Sequence, residues 1–511
     1  MGVVIVDSTA VLVVGAGPAG LAVACGLLQH GVSVRVVDEA HGPATTSRAN
    51  ILHARGVEVL NRLGALGDLR DRAVSGTKMT IHLGGRPVAT VRFGKVEGAQ
   101  LSALLVSQAE IEAQLGRRLA ELGGGVEWNA ALVGATRDDA GVTASLGTGE
   151  AVHAGWMVGC DGAHSTTRKE ADIGFPGAPV TDQWLLADVH ADWDVDRTGS
   201  MGWYHRDGLF FAMPMREAAG SENLWRLMCD ISLSEDERLD DQEILDRFRR
   251  LLPERTGLTD VRILDTSWTS VFRIHRRLAD QYRSGRILLA GDAAHIHSPF
   301  GGQGMNTGIG DAENLAWKLA LVVRGRAHDL LLDTYEAERR PLAEDVLRNT
   351  TANTRLMVSE GRLMRFLRDR VMTPLSNLPA VQRWATNSAS QLWVSYRRGP
   401  LAGPGSRMGR RPRPGDRVPD VACRRSDGSA TRLHAELGGH WVLLVPDAAD
   451  EAPVTSVRKR LGEYVTVLHF EGRQDEVRLV RPDAHLAWRG RPDSGRLDRW
   501  LDDALQQGRA L

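Results

Sequence analysis

Gly15, Gly17 and Gly20 stand in the spacing Gly-x-Gly-x-x-Gly, directly after the apolar run Ala10–Val14. In that place each glycine has its own task. Gly15 permits a tight turn, Gly17 lets a pyrophosphate approach the backbone, and Gly20 lets a helix pack closely on a strand. Pro18 and Ala19 open that helix, whose free N–H groups and positive dipole end would face the phosphates. Asp38 closes the next apolar run, about 20 residues on, where an acceptor for a ribose hydroxyl belongs. Glu39 is its neighbour and rival, with a poorer fit to the end of the strand. This is dinucleotide-binding chemistry. The motif alone does not separate a flavin nucleotide from a nicotinamide one.

Elements of matching type must position these residues. Ala10–Val14, a helix from Pro18 to His30 and Val32–Val37 form strand, helix and strand, the start of a parallel sheet. Residues 77–93 alternate around a Gly-Gly turn and predict a hairpin. A helix is expected at Ala109–Leu122, and strands at Val126–Trp128, Val142–Leu146 and Trp156–Val158. From Phe175 to Ser270 strand-like runs dominate, including Leu209–Met213 and Leu224–Ile231, which predicts a mostly antiparallel sheet inserted into the first domain. Arg286–Ala290 returns to a fully apolar strand, and Met305–Arg324 is a strong helix. Helical patterns run on to Tyr396. Arg397–Pro419, rich in Gly, Pro and Arg, predicts a linker. Trp441–Val445, Val465–His469 and Val477–Arg481 are expected strands, with a closing helix at Leu497–Gln507.

The chain of 511 residues is 42 % hydrophobic and 25 % charged, which suits a soluble protein of two or three domains. A net charge of −1 suggests no nucleic-acid partner. Its basic residues are almost all Arg; the lysines are Lys78, Lys95, Lys169, Lys318 and Lys459. Cys25, Cys160, Cys229 and Cys423 are far apart and form no metal-binding or CxxC pattern. No charged segment followed by an apolar core and a cleavage site opens the chain, and the most apolar stretch, Val11 to Leu28, is broken by Gly15, Gly17, Pro18 and Gly20. A cytoplasmic protein with no membrane partner is expected.

Two later segments separate the nucleotides. Gly159-Cys160-Asp161-Gly162-Ala163-His164-Ser165-Thr166-Thr167-Arg168 resembles the "DG" motif of the flavoprotein aromatic hydroxylases. Gly291-Asp292-Ala293-Ala294-His295, continuing through Pro299-Phe300-Gly301-Gly302-Gln303-Gly304-Met305-Asn306, resembles their "GD" motif and flavin loop. With the N-terminal glycines these make three motifs in the right order. The resemblance is to the single-component class with the p-hydroxybenzoate hydroxylase fold and covers residues 10–395. The C-terminal part resembles the thioredoxin-like tail of the phenol and polyketide hydroxylase branches, with the angucycline- and rifamycin-type enzymes most alike.

The resemblance implies an FAD-dependent monooxygenase. NAD(P)H would reduce FAD, O₂ would form a C4a-hydroperoxide, and its terminal oxygen would pass to an aromatic ring. Asp292, after its apolar strand, would meet a ribityl hydroxyl. Pro299, Gly302, Gly304, Met305 and Asn306 would lie along the flavin ring, with backbone N–H groups toward its N1–C2=O edge. Arg48 matches an arginine near the flavin phosphates and the entering nicotinamide, and Gln108 a glutamine near the ribityl chain. Arg117 is a weaker phosphate candidate. Asp161 and Arg168 match a motif that touches both FAD and NAD(P)H. A second Gly-x-Gly-x-x-Gly unit is missing, so the reductant would dock transiently. His295 and His297 invite a metal reading beside Asp292. They precede the flavin loop, however, and the family often has histidine at the first of these positions, so no metal is expected.

The expected fold is α/β: a Rossmann-like FAD-binding domain in two parts (1–174 and 276–396, the second with long helices), an inserted mostly antiparallel substrate sheet (175–275), a linker (397–419) and a thioredoxin-like domain (420–511). Without a CxxC motif that last domain would serve packing or dimer contacts, and a homodimer is left open. The substrate would be a small aromatic molecule, with a flat polycyclic polyketide favoured over a charged acid. Its candidate walls are Trp203, Tyr204, Phe211, Met213, Met215 and Trp225. Phe211, Met213 and Met215 alternate and so share one face. His205 and Arg206 are candidate helpers for removing a phenolic proton. Baeyer–Villiger insertion or epoxidation on the same flavin, and a flavin-holding binding or cyclisation module without net oxidation, are the alternatives.

Overall fold

The computed structural model describes residues 5–47, 49–74, 78–92, 102–216, 223–231, 238–297, 302–358, 375, 377–402, 411–446, 451–470, 476–491 and 495–505. Arg48, Pro299, Phe300 and Gly301 lie outside the described residues.

The first sheet runs in the order Arg283–Ser284, Ile287–Leu289, Ala151–Gly159, Ile5–Val14, Val34–Val37, Val126–Glu127. From Ile287–Leu289 to Val126–Glu127 its strands are parallel. Val11, Leu12, Val13, Met157 and Val158 are buried, as the centre of a parallel sheet covered on both faces requires. The chain leaves Ile5–Val14 toward Val34–Val37 through helix Pro18–Gln29, and Ala151–Gly159 lies on the other side. The order therefore switches direction beside the carboxyl end of Ile5–Val14, where an open α/β sheet makes a crevice.

The second sheet has the order His295–Ile296, Arg262–Leu278, Gly177–Asp192, Leu224–Ile231, Gly208–Pro214, Gly199–His205, Lys78–Leu83, Arg86–Arg92. All its pairs are antiparallel except Gly199–His205 with Lys78–Leu83. The hairpin expected at 77–93 turns at Gly84 and Gly85, both with positive φ, and it extends this second sheet, although it precedes the inserted segment in the chain.

Side chains alternate between the two faces of this sheet. Leu185, Ala187, Val189, Trp203, Phe210, Trp225 and Leu227 pack on one face with Ile244, Phe248 and Leu252 of helix Asp241–Thr256. That helix was not expected from the strand-dominated pattern. Its ends are nevertheless well specified: Asp240 and Glu243 form a capping box, and Gly257 closes it with φ 75°. The other face carries Trp184, Leu186, Tyr204, Leu209, Phe211 and Met228, with Met79, Ile81, Leu83, Met213, Trp268 and Phe272 against them.

The third sheet has the order Ala430–Arg432, Ala422–Arg425, Val465–Phe470, Trp441–Val445, Val477–Val480, Leu486–Gly490. Trp441–Val445 and Val465–Phe470 are parallel and joined by helix Ala452–Leu461, and an antiparallel pair and helix Arg496–Leu505 complete the thioredoxin-like unit. Cys423 is buried within it. The unit packs on helix Gln303–Val323, whose Trp317 meets Trp441 edge-on at 5.1 Å between ring centres. A buried ionic cluster crosses the same junction. Arg481 reaches Glu338 at 2.7 and 2.9 Å, Lys318 reaches Glu338 at 2.8 Å, and Arg55 and Arg62 share Glu313 at 2.8 and 2.7 Å. The stretch expected as a linker is tied down where it is described: Arg417 donates to Glu58 at 2.9 Å, and Tyr396 N–H to Gly415 O at 2.7 Å. Among the described residues, no helix is long and apolar enough to cross a membrane.

Candidate functional site

The crevice of the first sheet gathers three loops. Gly15 has φ +101°, and a Cβ there would lie 2.4 Å from the Cys160 carbonyl oxygen. Gly20 has no room either, since its Cβ would fall 1.9 Å from Gly15 O. Gly17 differs: a Cβ there would meet nothing within 4 Å, so this side of the turn opens on free space. Pro18 is the first residue of the helix. Gly17 caps it without a side-chain hydrogen bond, and no acidic residue stands in its first turn.

Helix Gln303–Val323 presents a second such end. Gly302, with φ +61°, caps it without a side-chain bond, its first turn has no acid, and a Cβ on Gly304 would meet nothing within 4 Å. The two helices are close neighbours. Gly308 approaches Ala19 and Gly291, and a Cβ on Gly26 would lie 2.7 Å from Ala316 Cβ. Both contacts advance in the same direction along the two chains, so the helices run parallel with their N-termini together. Two uncapped, acid-free helix starts side by side make a site for anionic groups. With the cradle that Gly17 and Gly304 leave open, they fit a long phosphate-bearing nucleotide such as FAD.

The carboxylates around this crevice have separate fates. Asp38 accepts from Ala16 N–H at 2.6 Å and from Ala40 N–H at 2.8 Å, joining the strand end to the glycine turn. Glu39 is exposed beside it. Asp161 is turned inward: it accepts from Ser165 Oγ at 2.5 Å, Thr167 N–H at 2.9 Å and Thr167 Oγ1 at 3.0 Å, within its own loop. Arg168 is buried, stacks 3.8 Å over Phe175 and donates to Ala293 O at 2.9 Å, tying the second motif to the third. Asp292 is exposed in the short turn Gly291–Ala293.

Gln108 accepts from Ala49 N–H at 3.3 Å and donates to Glu112 at 2.8 Å. Burial, with a smaller contribution from Asp38, pushes the Glu112 carboxyl up. Arg117 is exposed, 3.6 Å from Asp68. Met305 is half-buried against the first core. At Asn306, where the expectation concerns the backbone N–H, the side chain is taken up within the protein. It donates to Ile51 O at 2.9 Å and Gly302 O at 2.8 Å and accepts from His53 N–H at 2.8 Å, so it is committed to holding the loop.

His295 is engaged by Asp311 at 2.6 Å, and Asp311 also takes Arg339 at 2.7 Å. Burial, with His295 alongside, pushes His297 well below the usual imidazole range. Among the described residues, no group of three or more His, Cys, Asp or Glu is placed to hold a metal.

The strand register of the second sheet sorts the expected wall residues. Ile81, Gly202, Phe211, Met228, Leu186 and Ser270 form one row across six strands. Met213, Arg226, Asp188 and Trp268 form the next. The Phe211 ring lies over Gly202, where a Cβ would be 2.8 Å away. The Arg226 guanidinium donates to Asp188 at 2.7 and 2.6 Å and also to the carbonyl oxygen of Ser47, so this face looks toward the nucleotide half. Tyr204 belongs to the same face, and Met215 is buried at the end of its strand.

Four expectations fall elsewhere. Trp203 and Trp225 are on the opposite face, packed with Phe210 and Trp193 under helix Asp241–Thr256, because the pleat sends odd and even residues apart. His205 and Arg206 lie at a hairpin turn next to Asp207, with the Arg206 side chain 80 % exposed. The residues that the sequence reading missed are Trp184, Met228, Trp268, Phe272 and the Asp188–Arg226 pair. A lone Arg inside the apolar run Leu224–Ile231 was the available signal, since a buried charge requires a partner.

Comparison with known proteins agrees with this architecture. Residues 8–350 match the family model described as FAD binding domain, and 411–507 that described as aromatic-ring hydroxylase, C-terminal. A 6-methylpretetramide 4-monooxygenase of Streptomyces rimosus is 34 % identical, over 95 % of this chain and 91 % of its own length. CabE, an aromatic hydroxylase from angucycline biosynthesis, has a solved structure that superposes with TM-score 0.80 at 31 % identity, covering 98 % of this chain and 99 % of that one. The Diels-Alderase PyrE3 from the biosynthetic pathway of pyrroindomycins superposes with TM-score 0.76 at 29 % identity, covering 98 % and 99 %. The chain belongs to the FAD-dependent aromatic-ring monooxygenase family.

Proposed function

We propose that this protein uses FAD, NAD(P)H and O₂ to hydroxylate a neutral, flat polycyclic aromatic compound of polyketide type. The observation that carries the substrate class is the row Ile81–Gly202–Phe211–Met228–Leu186, an apolar surface facing the nucleotide half, where Gly202 lets the Phe211 ring lie flat on the sheet. Among the described residues of that face, a small charged acid would find the Arg226 guanidinium already paired with Asp188.

FAD would lie along the two helix starts, its pyrophosphate against Gly15, Gly17, Pro18, Ala19 and Gly20, its ribose at Asp38, its ribityl chain between Gln108 and Asp292, and its ring by Gly302, Gly304 and Met305. When bound, the flavin supplies the redox chemistry and the activation of oxygen. The chain's own part is to orient the two reactants and to exclude water. The backbone N–H groups at the start of helix Gln303–Val323 would stabilise negative charge on the ring edge. Arg168 and Asp161 would hold the loop between them rather than touch the reductant.

The test is oxidation of NADPH and NADH by the purified yellow protein, with O₂ uptake and product mass, over phenols and polycyclic compounds including anhydrotetracycline. Faster oxidation with a gain of one oxygen supports the reading, and product NMR separates ring hydroxylation from Baeyer–Villiger insertion or epoxidation. The likeness to a Diels-Alderase favours a second reading, a flavin-holding cyclisation module. Tight binding of a polyene or polycyclic compound, with no reductant consumed, would establish that reading instead.

A further inference from the structure

Helix Gln303–Val323 is gripped from two sides in its second turn. A Cβ on Gly308 would lie 3.1 Å from Gly291 Cα, so the helix backbone rests on the Gly291–Ala293 turn with no side chain between them. Gly310, two residues on and so roughly on the opposite side, would place a Cβ 2.9 Å from Arg339 Nη2. Arg339 belongs to helix Asp333–Val358 and is 3 % exposed. Each nitrogen of its guanidinium has its own partner. Nε donates to Asp311 at 2.7 Å, Nη2 to the Thr307 carbonyl at 2.8 Å and Nη1 to the Tyr396 hydroxyl oxygen at 2.9 Å. The other oxygen of the buried Asp311 accepts from Gly291 N–H at 3.2 Å and meets His295 Nε2 at 2.6 Å. Burial alone would raise this carboxyl, but His295 and Arg339 hold it below its usual range, so it stays a charged acceptor for the turn.

Tyr396 is the outer end of this brace. It is buried, and its ring lies 4.2 Å from that of His485 in the C-terminal unit, with the Arg481 guanidinium 5.2 Å from the ring centre. Its N–H donates to Gly415 O, and Gly415 N–H donates to Leu486 O, both at 2.7 Å. Gln391, earlier in the same segment, donates to Thr307 Oγ1 at 3.4 Å. The C-terminal unit is thus joined, through Tyr396 and Arg339, to the turn at Gly291 and to the helix that follows Gly302.

We infer that the C-terminal unit is a working part of the flavin site, with Tyr396 as the positioning residue that, through Arg339 and Asp311, holds the Gly291–Ala293 turn and the start of helix Gln303–Val323 in the arrangement that takes FAD. It rests on the reading that FAD lies along that turn and that helix start. Removing the Tyr396 oxygen leaves a buried guanidinium N–H without its acceptor, a costly state that a shift of Arg339 relieves. Such a shift moves Thr307 and Asp311 with it, and no side chain lies between Gly308 and Gly291 to absorb the movement. Coupling between two sites is reciprocal, so FAD must steady the Tyr396 segment by the same factor by which that segment strengthens FAD.

The test uses full-length wild type and Y396F, freed of flavin and titrated with FAD by flavin fluorescence. Hydrogen–deuterium exchange of residues 391–402 is followed with and without FAD, alongside thermal melting. Tyr396→Phe keeps the ring against His485 and deletes only the acceptor. It is expected to weaken FAD about tenfold, the scale of one hydrogen bond to a charged group, and to abolish the slowing of exchange that FAD produces in wild type. A merely structural role would lower the melting temperature with and without flavin alike while FAD affinity and FAD-dependent protection kept their wild-type values, and that result overturns the inference. If Y396F fails to fold, R339K decides on the same readouts. The reading of the FAD site fails separately: Gly17→Val would then bind FAD like wild type. Failure of this inference alone leaves Gly17→Val without FAD and Y396F with full affinity.

Discussion

The Asp38 carboxylate accepts a hydrogen bond from the backbone N–H of Ala16 at 2.6 Å, so the end of one strand holds the glycine turn that follows another. In the proposed FAD site the same group would accept from the ribose. Asp38→Ala should therefore weaken FAD doubly, by removing a ligand and by freeing the turn. Loss of a hydrogen bond to a charged group, about 1.5–3 kcal/mol, predicts roughly 10- to 100-fold weaker FAD binding. Titration of apoprotein with FAD, followed by flavin fluorescence, measures it. Unchanged affinity would remove Asp38 from the site.

Gly17 and Gly20 should fail in different ways when enlarged. Gly17 has extended-type backbone, φ −71° and ψ −178°, and free space around its Cβ position, so Gly17→Val should fold and melt as apoprotein like wild type yet hold no FAD. Gly20→Ala drives a methyl group into Gly15 O and should lower the melting temperature even without flavin. Melting curves of the two apoproteins, with flavin content after reconstitution, separate the cases. Equal apoprotein melting would refute the distinction.

The two faces of the inserted sheet make an analogous contrast. Phe211→Ala should raise the aromatic KM and increase the reductant consumed without product, at near-wild-type stability. Trp203→Ala should cost about 3–5 kcal/mol of stability, as large-to-small changes in a core do, and leave the KM of the folded fraction alone. Denaturant unfolding and steady-state kinetics on both variants check this. The reverse pattern would place the substrate under helix Asp241–Thr256.

What could be read in advance, and what could not, follows from the range of the interactions. The turn Gly15–Gly20, the strand end at Asp38 and the helix after Gly302 are local, so spacing and residue type sufficed. Phe211 and Met213 were assigned to one face because a strand has period 2. Trp203 and Trp225 were misplaced because parity within one strand does not say which face meets the flavin half; that depends on the register between strands. Arg226, Asp188, Glu338, Arg481 and Asp483 look like surface charges in a linear sequence. The apolar run around Arg226 hints at its burial, but the partners, 38 residues away for Arg226 with Asp188 and 143 for Arg481 with Glu338, are brought together only by the fold, where each buried charge requires one. The bonds of the Asn306 side chain to Ile51 and His53 were not legible, because these partners stand 255 and 253 residues away.

His30 gives the junction with the C-terminal unit a dependence on pH. It sits at the end of helix Pro18–Gln29, is 5 % exposed, and its ring lies 6.2 Å from that of Tyr464. Burial, with His440 and Arg324 nearby, pushes its pKa down from 6.5 to about 4. The unfolded chain therefore takes up a proton that the folded protein refuses. Stability from this group is fully present above pH 6.5, falls as the pH drops below that value, and stops falling near pH 4, where the folded form protonates too. At pH 5 the loss is about 2 kcal/mol, from 1.36 kcal/mol per unit over the interval below 6.5. His30→Gln should flatten the decline between pH 6.5 and 4 without abolishing acid unfolding. His434, pushed from 6.5 to about 4 mainly by burial, adds to the decline over the same window, and Glu58 and Glu338 act below it: burial would raise each carboxyl, but Arg417 for the first and Arg481 and Lys318 for the second hold both down to about 2, so their contribution is lost between pH 4.5 and 2. Denaturant unfolding of wild type and H30Q at pH 7, 6, 5 and 4 measures the difference. Parallel curves for the two proteins would show that His30 does not titrate with folding.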